Sequence, residues 1–444
     1  MKKIDMAVRF LILVAASSMV FYTCKEEPTK PIIPPPANKP TIKLEVQYSD
    51  FTEILLKISV SDTNFWKRIA IKRNGELVHY NNFMNKDTVI VDNGLQSNTS
   101  YAYQALLVDK GKAIDSSMAI TKTREYGSHN WRFEIDTLGE DGSGVQSVIA
   151  FNKNDAWVSG QFIKFINMKP DSINWIDYPI AHWNGNNWTI YPLITPDSQT
   201  TPWGEAIYGL TSNNILLFAY GVWNYNGLMW NYLPSKQAPV QTASSAMYGI
   251  RSDEIYSVGY EGTIGRWDGK IFSNINSPTT CYLLDIYGED NNYRAAGTSL
   301  DGTRSVLIKI ENGTASLVDT STQSNFFQYY SIWFKTMDSV WAQTGNRSKI
   351  LYRGHWIIPE IHGITVPYCE RVRGTGINNI WFAGNFLFLM HYDGITWRYY
   401  PQILDAGTGS LHSLFVSDDY LFAGGWLVLK DGSTHGIVVR GYRQ

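Results

Sequence analysis

Short runs of β-branched and aromatic residues, broken by Asn-Gly or Asp-Gly, recur along the last two-thirds of the chain. Runs of this kind with such breaks predict strands joined by tight hairpins. The clearest copy is Asn378-Asn379-Ile380-Trp381-Phe382-Ala383-Gly384, followed by His391-Tyr392-Asp393-Gly394-Ile395-Thr396-Trp397. Its first half reads acidic or Asn, apolar, aromatic, two small or apolar residues, Gly. It returns at 155–160, 254–259, 292–297 and 419–424. Looser copies start at Asn214 and Ser339 and end at Gly221 and Gly345. The second half reads aromatic, polar, Gly, then a further aromatic. It returns in Trp183-Asn184-Gly185 with Trp188, Tyr225-Asn226-Gly227 with Trp230, Trp267-Asp268-Gly269 with Phe272, and Tyr352-Arg353-Gly354 with Trp356. A worn copy occupies 310–316.

The units repeat roughly every 40 residues, the length of one four-stranded propeller blade. A lone four-stranded sheet cannot bury both faces, and radial stacking buries both. The aromatic after each Gly is expected between neighbouring blades. The seventh unit stops at 437–442 with a third strand and no Trp-bearing fourth. Asn130-Trp131-Arg132-Phe133-Glu134-Ile135, ahead of the first unit, reads as that missing strand, and its pairing removes an exposed edge. The expected fold is therefore all-β, with a seven-bladed β-propeller over 126–444 closed by an N-terminal outer strand. The units resemble the tryptophan-rich propeller repeats of bacterial extracellular sensor and sialidase-like proteins. The resemblance implies the fold and little about function. Asp268-Gly269 and Asp393-Gly394 are adjacent, so the sialidase Asp-box spacing is broken, and no kelch Gly-Gly doublet recurs.

A second pattern precedes the repeats. Strict alternation in Ile54-Leu55-Leu56-Lys57-Ile58-Ser59-Val60 and in Ile69-Ala70-Ile71-Lys72-Arg73, with Asn74-Gly75 as a turn, predicts a small sandwich over 41–124. Leu95, Thr99 and Tyr101 resemble the fibronectin type III corner, in which a Tyr hydroxyl bonds back to the backbone. The usual Trp of the second strand is missing, so Leu56 or Ile58 must fill the core.

The chain begins differently. Lys2, Lys3 and Arg9 precede an apolar run from Phe10 to Val20, too short for a comfortable membrane span. Phe21-Tyr22-Thr23-Cys24 then resembles a bacterial lipoprotein signal, which implies removal of 1–23 and lipidation of Cys24. Thr23 and bulky Tyr22 depart from that pattern. Lys25-Glu26-Glu27 resembles the export signal of Bacteroidetes surface lipoproteins. The Pro-rich stretch 24–40 reads as a stiff tether that lifts a folded head off an outer membrane toward the cell exterior.

Composition narrows the function. Net charge is 38 − 40 = −2, which argues against a nucleic-acid binder working by bulk electrostatics. Aromatics reach 14%, suiting a β-rich extracellular protein and the chemistry of a glycan-binding surface. Cys281 and Cys369 fall at different registers of non-adjacent repeats and read as buried small hydrophobes. No metal-ligand spacing, nucleophile elbow, phosphate loop or dinucleotide fingerprint is present, so no cofactor is expected.

Propeller topology brings the inter-blade connections and the second-to-third-strand loops to one face. On that face the expected ligand-binding residues are Trp175 and Asp177 in an insertion of the first blade, and Trp203 and Glu205 in a long connection. Arg304, Tyr329, Tyr368, Glu370, His412 and Trp426 join them. An aromatic beside a carboxylate suits sugar binding, because the ring stacks while polar groups hold hydroxyls. Three readings follow: a surface receptor for a glycan or protein, a carbohydrate-active enzyme with carboxylates at the channel mouth, or a scaffold of an outer-membrane assembly.

Overall fold

The structure, a computed structural model, describes residues 40–444 except 50, 62–66, 84–85, 170–171, 197–202, 234–243, 322–327, 337–338, 345–346, 353–354 and 358–367. The signal segment, Cys24 and nearly all of the Pro-rich stretch lie outside the described residues, as do Gly345, Arg353 and Gly354 of the repeat.

Strands between Ile42 and Lys122 build two sheets that share one apolar core. Ile42–Ser49, Glu53–Val60 and Asp87–Asn93 form the first; Glu76–Phe83, Lys67–Arg73, Ser100–Asp109 and Lys112–Lys122 form the second. Alternation decides which side chains enter the core: Ile54, Leu56, Ile58 and Val60 are buried, and they join Tyr103, Ala105 and Leu107. The Tyr101 hydroxyl accepts the backbone N–H of Gln96 at 2.9 Å and ties the strand to the turn before it.

From Trp131 to Arg443 the described residues form seven four-stranded antiparallel sheets. Their first strands are Gly144–Asn152, Ala206–Thr211, Ser244–Arg251, Tyr282–Glu289, Ser331–Thr336, Cys369–Gly376 and Thr408–Val416. Each packs beside the next, and Thr408–Val416 returns to Gly144–Asn152, so the sheets close into a ring about a central cavity. The seventh sheet takes its fourth strand from the other end of the region. Trp131–Leu138 pairs antiparallel with Thr434–Arg443, from Trp131 opposite Arg443 to Leu138 opposite Gly436. Arg440 reinforces the closure. Its guanidinium binds Asp136 through two bonds of 2.5 and 3.0 Å and lies 4.0 Å over the Trp183 ring of the first sheet.

The repeat has a local physical cause. Asp393 Oδ1 accepts the N–H groups of Ile395 and Thr396 at 2.8 and 2.7 Å, and Asp268 Oδ1 those of Lys270 and Ile271 at 2.9 and 2.8 Å. Asn226 and Asn184 do the same in their sheets. The Gly that follows each has φ near +90°, between +89° at Gly227 and +104° at Gly394, where a side chain is disfavoured. The aromatic beyond the turn then crosses to the preceding sheet: Trp230 meets Trp157 at 5.7 Å, Phe272 meets Phe218 at 5.3 Å, and Trp397 meets Trp341 at 6.1 Å. Burying such rings is the main cohesive term between sheets.

Turns joining first to second and third to fourth strands emerge on one side of the ring, the hairpin face. Second-to-third turns and the connections between sheets emerge on the other, the loop face. The small sandwich meets the hairpin face. Phe51 packs on Gly394, where an added Cβ would stand 2.4 Å from the ring, and Tyr126 lies 5.2 Å from Phe51. Asn378 Nδ2 donates to the Glu125 carbonyl at 2.5 Å. Cys281 and Cys369 are buried free thiols. Among the described residues no helix is long and apolar enough to cross a membrane.

Candidate functional site

Among the described residues of the ring, every exposed aromatic side chain sits on the loop face: Trp175, Trp203, Tyr220, Tyr260, Phe386 and Trp426. The hairpin face exposes aliphatic residues instead, such as Leu228, Met229, Ile271 and Ile395. Two of the loop-face aromatics are held in the left-handed region. Tyr220 has φ +47° and is 72% exposed; Phe386 has φ +61° and is 61% exposed. Bulky residues in that region carry strain, which folds tolerate mainly at functional sites.

The ten residues singled out by sequence fall into two groups and two outliers. Asp155–Lys169 and Ser172–Trp183 extend as a ribbon beyond the first sheet, with Trp175 opposite Phe165. Asp177, on the same ribbon, accepts a bond from Gln161 Nε2 at 3.0 Å. The segment with Trp203 and Glu205 abuts the ribbon's base, where the Gly204 N–H donates to the Gly160 carbonyl at 2.8 Å. These four therefore cluster at the first and second sheets.

The second group lies where the sixth and seventh sheets meet. Ser410 Oγ donates to Glu370 Oε1 at 3.2 Å and pairs across the strand with Trp426. His412 follows two residues later, and Tyr368 precedes Glu370 with its ring 4.9 Å from Tyr330. Burial raises the Glu370 pKa against the opposing pull of Arg371 and Ser410. Burial, with Arg371 nearby, lowers the His412 pKa to about 4, and its Nε2 has no hydrogen-bond partner among the described residues. Arg304 and Tyr329 stand apart. Arg304 Nε points at the Cys281 sulfur at 3.4 Å, and fully buried Tyr329 donates to Asp319 at 2.6 Å.

The central cavity, about 580 Å³, was not anticipated as a site. It runs along the first strands to the hairpin face, reaching Thr211, Ser212 and Tyr420. Its wall carries a buried ion pair. Arg373 donates to both oxygens of Asp285, at 2.6 and 2.8 Å. The Ser331 hydroxyl and the Ile332 N–H complete the carboxylate's shell. Burial opposes ionisation of Asp285, but Arg373 and Arg371 outweigh it and hold the carboxyl below its ordinary pKa. Register offered a faint signal. In line with Ser147 stand Ala206, Ala246, Asp285, Ser331, Arg371 and Ser413, so two charges occupy a position otherwise held by small residues.

No family model and no curated protein matches the chain. Solved structures do match. YCF48 bound to a D1 peptide is 14% identical with a TM-score of 0.52, over 72% of this chain and 97% of that one. YCF48 from Cyanidioschyzon merolae is 12% identical with a TM-score of 0.49, over 70% and 99%. The extracellular domain of the putative one component system BT4673 from B. thetaiotaomicron is 14% identical with a TM-score of 0.38, over 66% and 44%. At these identities the likeness shows a β-propeller fold and nothing finer.

Proposed function

We propose that this chain is a surface lipoprotein whose ring binds an extracellular ligand, a glycan or a protein, on its loop face. In this reading residues 1–23 are a signal peptide, Cys24 carries the lipid, and 24–40 is the tether. Residues 41–124 are a fibronectin type III-like spacer, and 126–444 a seven-bladed propeller. The observation that carries it is the segregation of exposed aromatic residues: six on the loop face, none on the hairpin face among the described residues. Rings give large contact area at low conformational cost and stack on sugars or peptide side chains. The direction of attachment agrees. The spacer meets the ring on the hairpin face, so the loop face points away from an anchor at Cys24. YCF48, a propeller of related shape, has been solved holding a peptide, which supports the protein branch of the proposal.

Binding is favoured over hydrolysis by one feature of the cavity. Asp285 is the one carboxyl lining it among the described residues, and Arg373 keeps it ionised. Glycoside hydrolysis needs two carboxyl groups facing the scissile bond, one of them protonated. The test is a glycan array and a native-membrane pull-down with the full chain, run beside a Trp175→Ala/Trp203→Ala variant. Selective capture by the wild type that the variant loses supports a loop-face receptor. Equal capture by both forms, or capture by neither, overturns it.

A further inference from the structure

The cavity on the hairpin side is chemically unlike the loop face, and its contents point to a specific ligand class. We infer that it is a second binding site, for a carboxylate-bearing sugar such as a uronic acid, anchored by Arg371. The proposal does not depend on what the loop face binds.

Three observations converge. The first is size. About 580 Å³ lies in the middle of the range of small-ligand sites, roughly 300–1,000 Å³. The second is charge. Three ionised side chains line the cavity, Asp285, Arg371 and Arg373. Arg373 and Asp285 neutralise each other in a two-bond pair. Arg371 keeps a surplus positive charge. Its Nη1 donates to the carbonyls of Tyr330 and Glu370 at 3.3 and 3.2 Å, and its Nη2 to that of Leu284 at 3.4 Å. Among the described residues no carboxylate forms an ion pair with it, although Asp285 and Glu370 both feel its charge, and its Nε–H and one Nη2 hydrogen make no bond there. A guanidinium with spare donors in a confined cavity is a carboxylate receptor of fixed fork geometry.

The third observation is the wall. Tyr208, Tyr248 and Tyr287 stand in series, with ring centroids 5.3 and 4.5 Å apart. The Tyr208 hydroxyl is already committed to the Gly249 carbonyl, which fixes its ring. On the far side of the ring from the sixth sheet, the Ser245 hydroxyl lines the cavity and has no hydrogen-bond partner among the described residues. An acid at one end, a flat apolar face and hydroxyls at the other are the attributes of a sugar acid. The ligand would enter from the hairpin face, beside the docked sandwich.

The test is titration calorimetry of the full chain with D-glucuronate, D-galacturonate and their short oligomers. Glucose, galactose and acetate serve as comparisons. Saturable binding of a uronate, with neutral sugars and acetate at least about tenfold weaker, is the expected result. Arg371→Gln should abolish it. Arg371→Lys, which keeps the charge and loses the fork, should weaken it by about tenfold. Tyr248→Phe keeps the ring and should bind within about threefold of the wild type. If Arg371→Gln fails to fold by thermal melting, the Lys variant decides. No saturation by any uronate below about 10 mM overturns the proposal. Equal binding of acetate or neutral sugars, or undiminished binding by the Arg371 variants, overturns it as well.

Discussion

The two faces of the ring are made by the same strands and obey different rules. On the hairpin face one solution is used again and again: an Asn or Asp accepts two backbone N–H groups and a Gly takes φ near +90°. On the loop face, among the described residues, no two second-to-third turns are alike. The first sheet grows a ribbon, the third holds a short 3-10 turn at Tyr260–Gly262, and the second and sixth force Tyr220 and Phe386 into a conformation that Gly would adopt freely. At positive φ the repeating face uses Gly, Asn or Asp, which tolerate it, whereas the varied face also holds Tyr220, Glu261, Phe386 and Leu387 there. Selection for folding alone explains the first pattern and not the second.

The largest effect that would break this picture lies between the faces, in the cavity wall. Asp285→Ala leaves Arg373 buried without its carboxylate, and such loss costs about 3–5 kcal/mol. Denaturant unfolding should show the full loss with an unchanged slope. A loss below about 1 kcal/mol would mean that water reaches the pair and the cavity is wetter than its burial indicates.

Next in size is an acid-sensitive contact on the hairpin side. His391 is buried under Trp381, with ring centroids 4.4 Å apart, and sits 3.0 Å from His129. Burial, and then His129, lowers its pKa from 6.5 to about 2. The folded state therefore keeps His391 neutral, while the unfolded chain gains a proton below pH 6.5. The contribution is complete above pH 6.5 and is lost progressively as pH falls from there toward 2. Between pH 7 and pH 4.5 it amounts to roughly 2.5 kcal/mol. Stability measured across that interval should fall, and His391→Gln should flatten the fall. An unchanged slope in the variant would assign acid lability elsewhere, His412 being the next group to examine.

Much of this architecture was legible in the residues because its causes are local. Asp393-Gly394 demands a turn whatever surrounds it, and Trp131 supplies the aromatic that the seventh unit lacks, so the strand that pairs with Thr434–Arg443 could be read from a missing letter. Tyr101 likewise announced its bond to the backbone near Leu95. The cavity was not legible, because its chemistry is non-local. Asp285 and Arg373 lie in different repeats and at different register positions, and they meet only once the first strands of the fourth and sixth sheets face one axis. The loop face was half legible. Topology pointed to ten residues, of which Arg304, turned to Cys281, and fully buried Tyr329 stand apart, and nothing in the letters around Tyr220 and Phe386 marks them as strained rather than ordinary turn residues.

A moderate effect tests how the sandwich is held. Gly394 has φ +104°, and a Cβ there would collide with Phe51. Gly432 has φ +90° with nothing within 4 Å. Gly394→Ala and Gly432→Ala both incur backbone strain, about 1 kcal/mol each. Only the first should also loosen the sandwich from the ring, seen as faster proteolysis between residues 124 and 130. Equal cleavage rates in the two variants would show that Phe51 does not hold the sandwich in place.

The smallest expected effect speaks most directly to the contrast between faces. At Tyr220 and Phe386, Gly would adopt the observed φ without strain, as it does at the equivalent stage of the hairpin turns. The left-handed penalty for a side chain is about 1 kcal/mol, part of which Gly returns as extra freedom in the unfolded chain. Both rings are mostly exposed, so little burial is lost. Tyr220→Gly and Phe386→Gly should therefore leave stability unchanged or raise it by up to about 0.5 kcal/mol, while each weakens capture of the loop-face ligand. A clear loss of stability would mean that the rings hold the loops together, and the strain would then belong to the scaffold. A gain in stability with binding intact would remove the two aromatics from the receptor surface and leave Trp175, Trp203 and Trp426 to carry it.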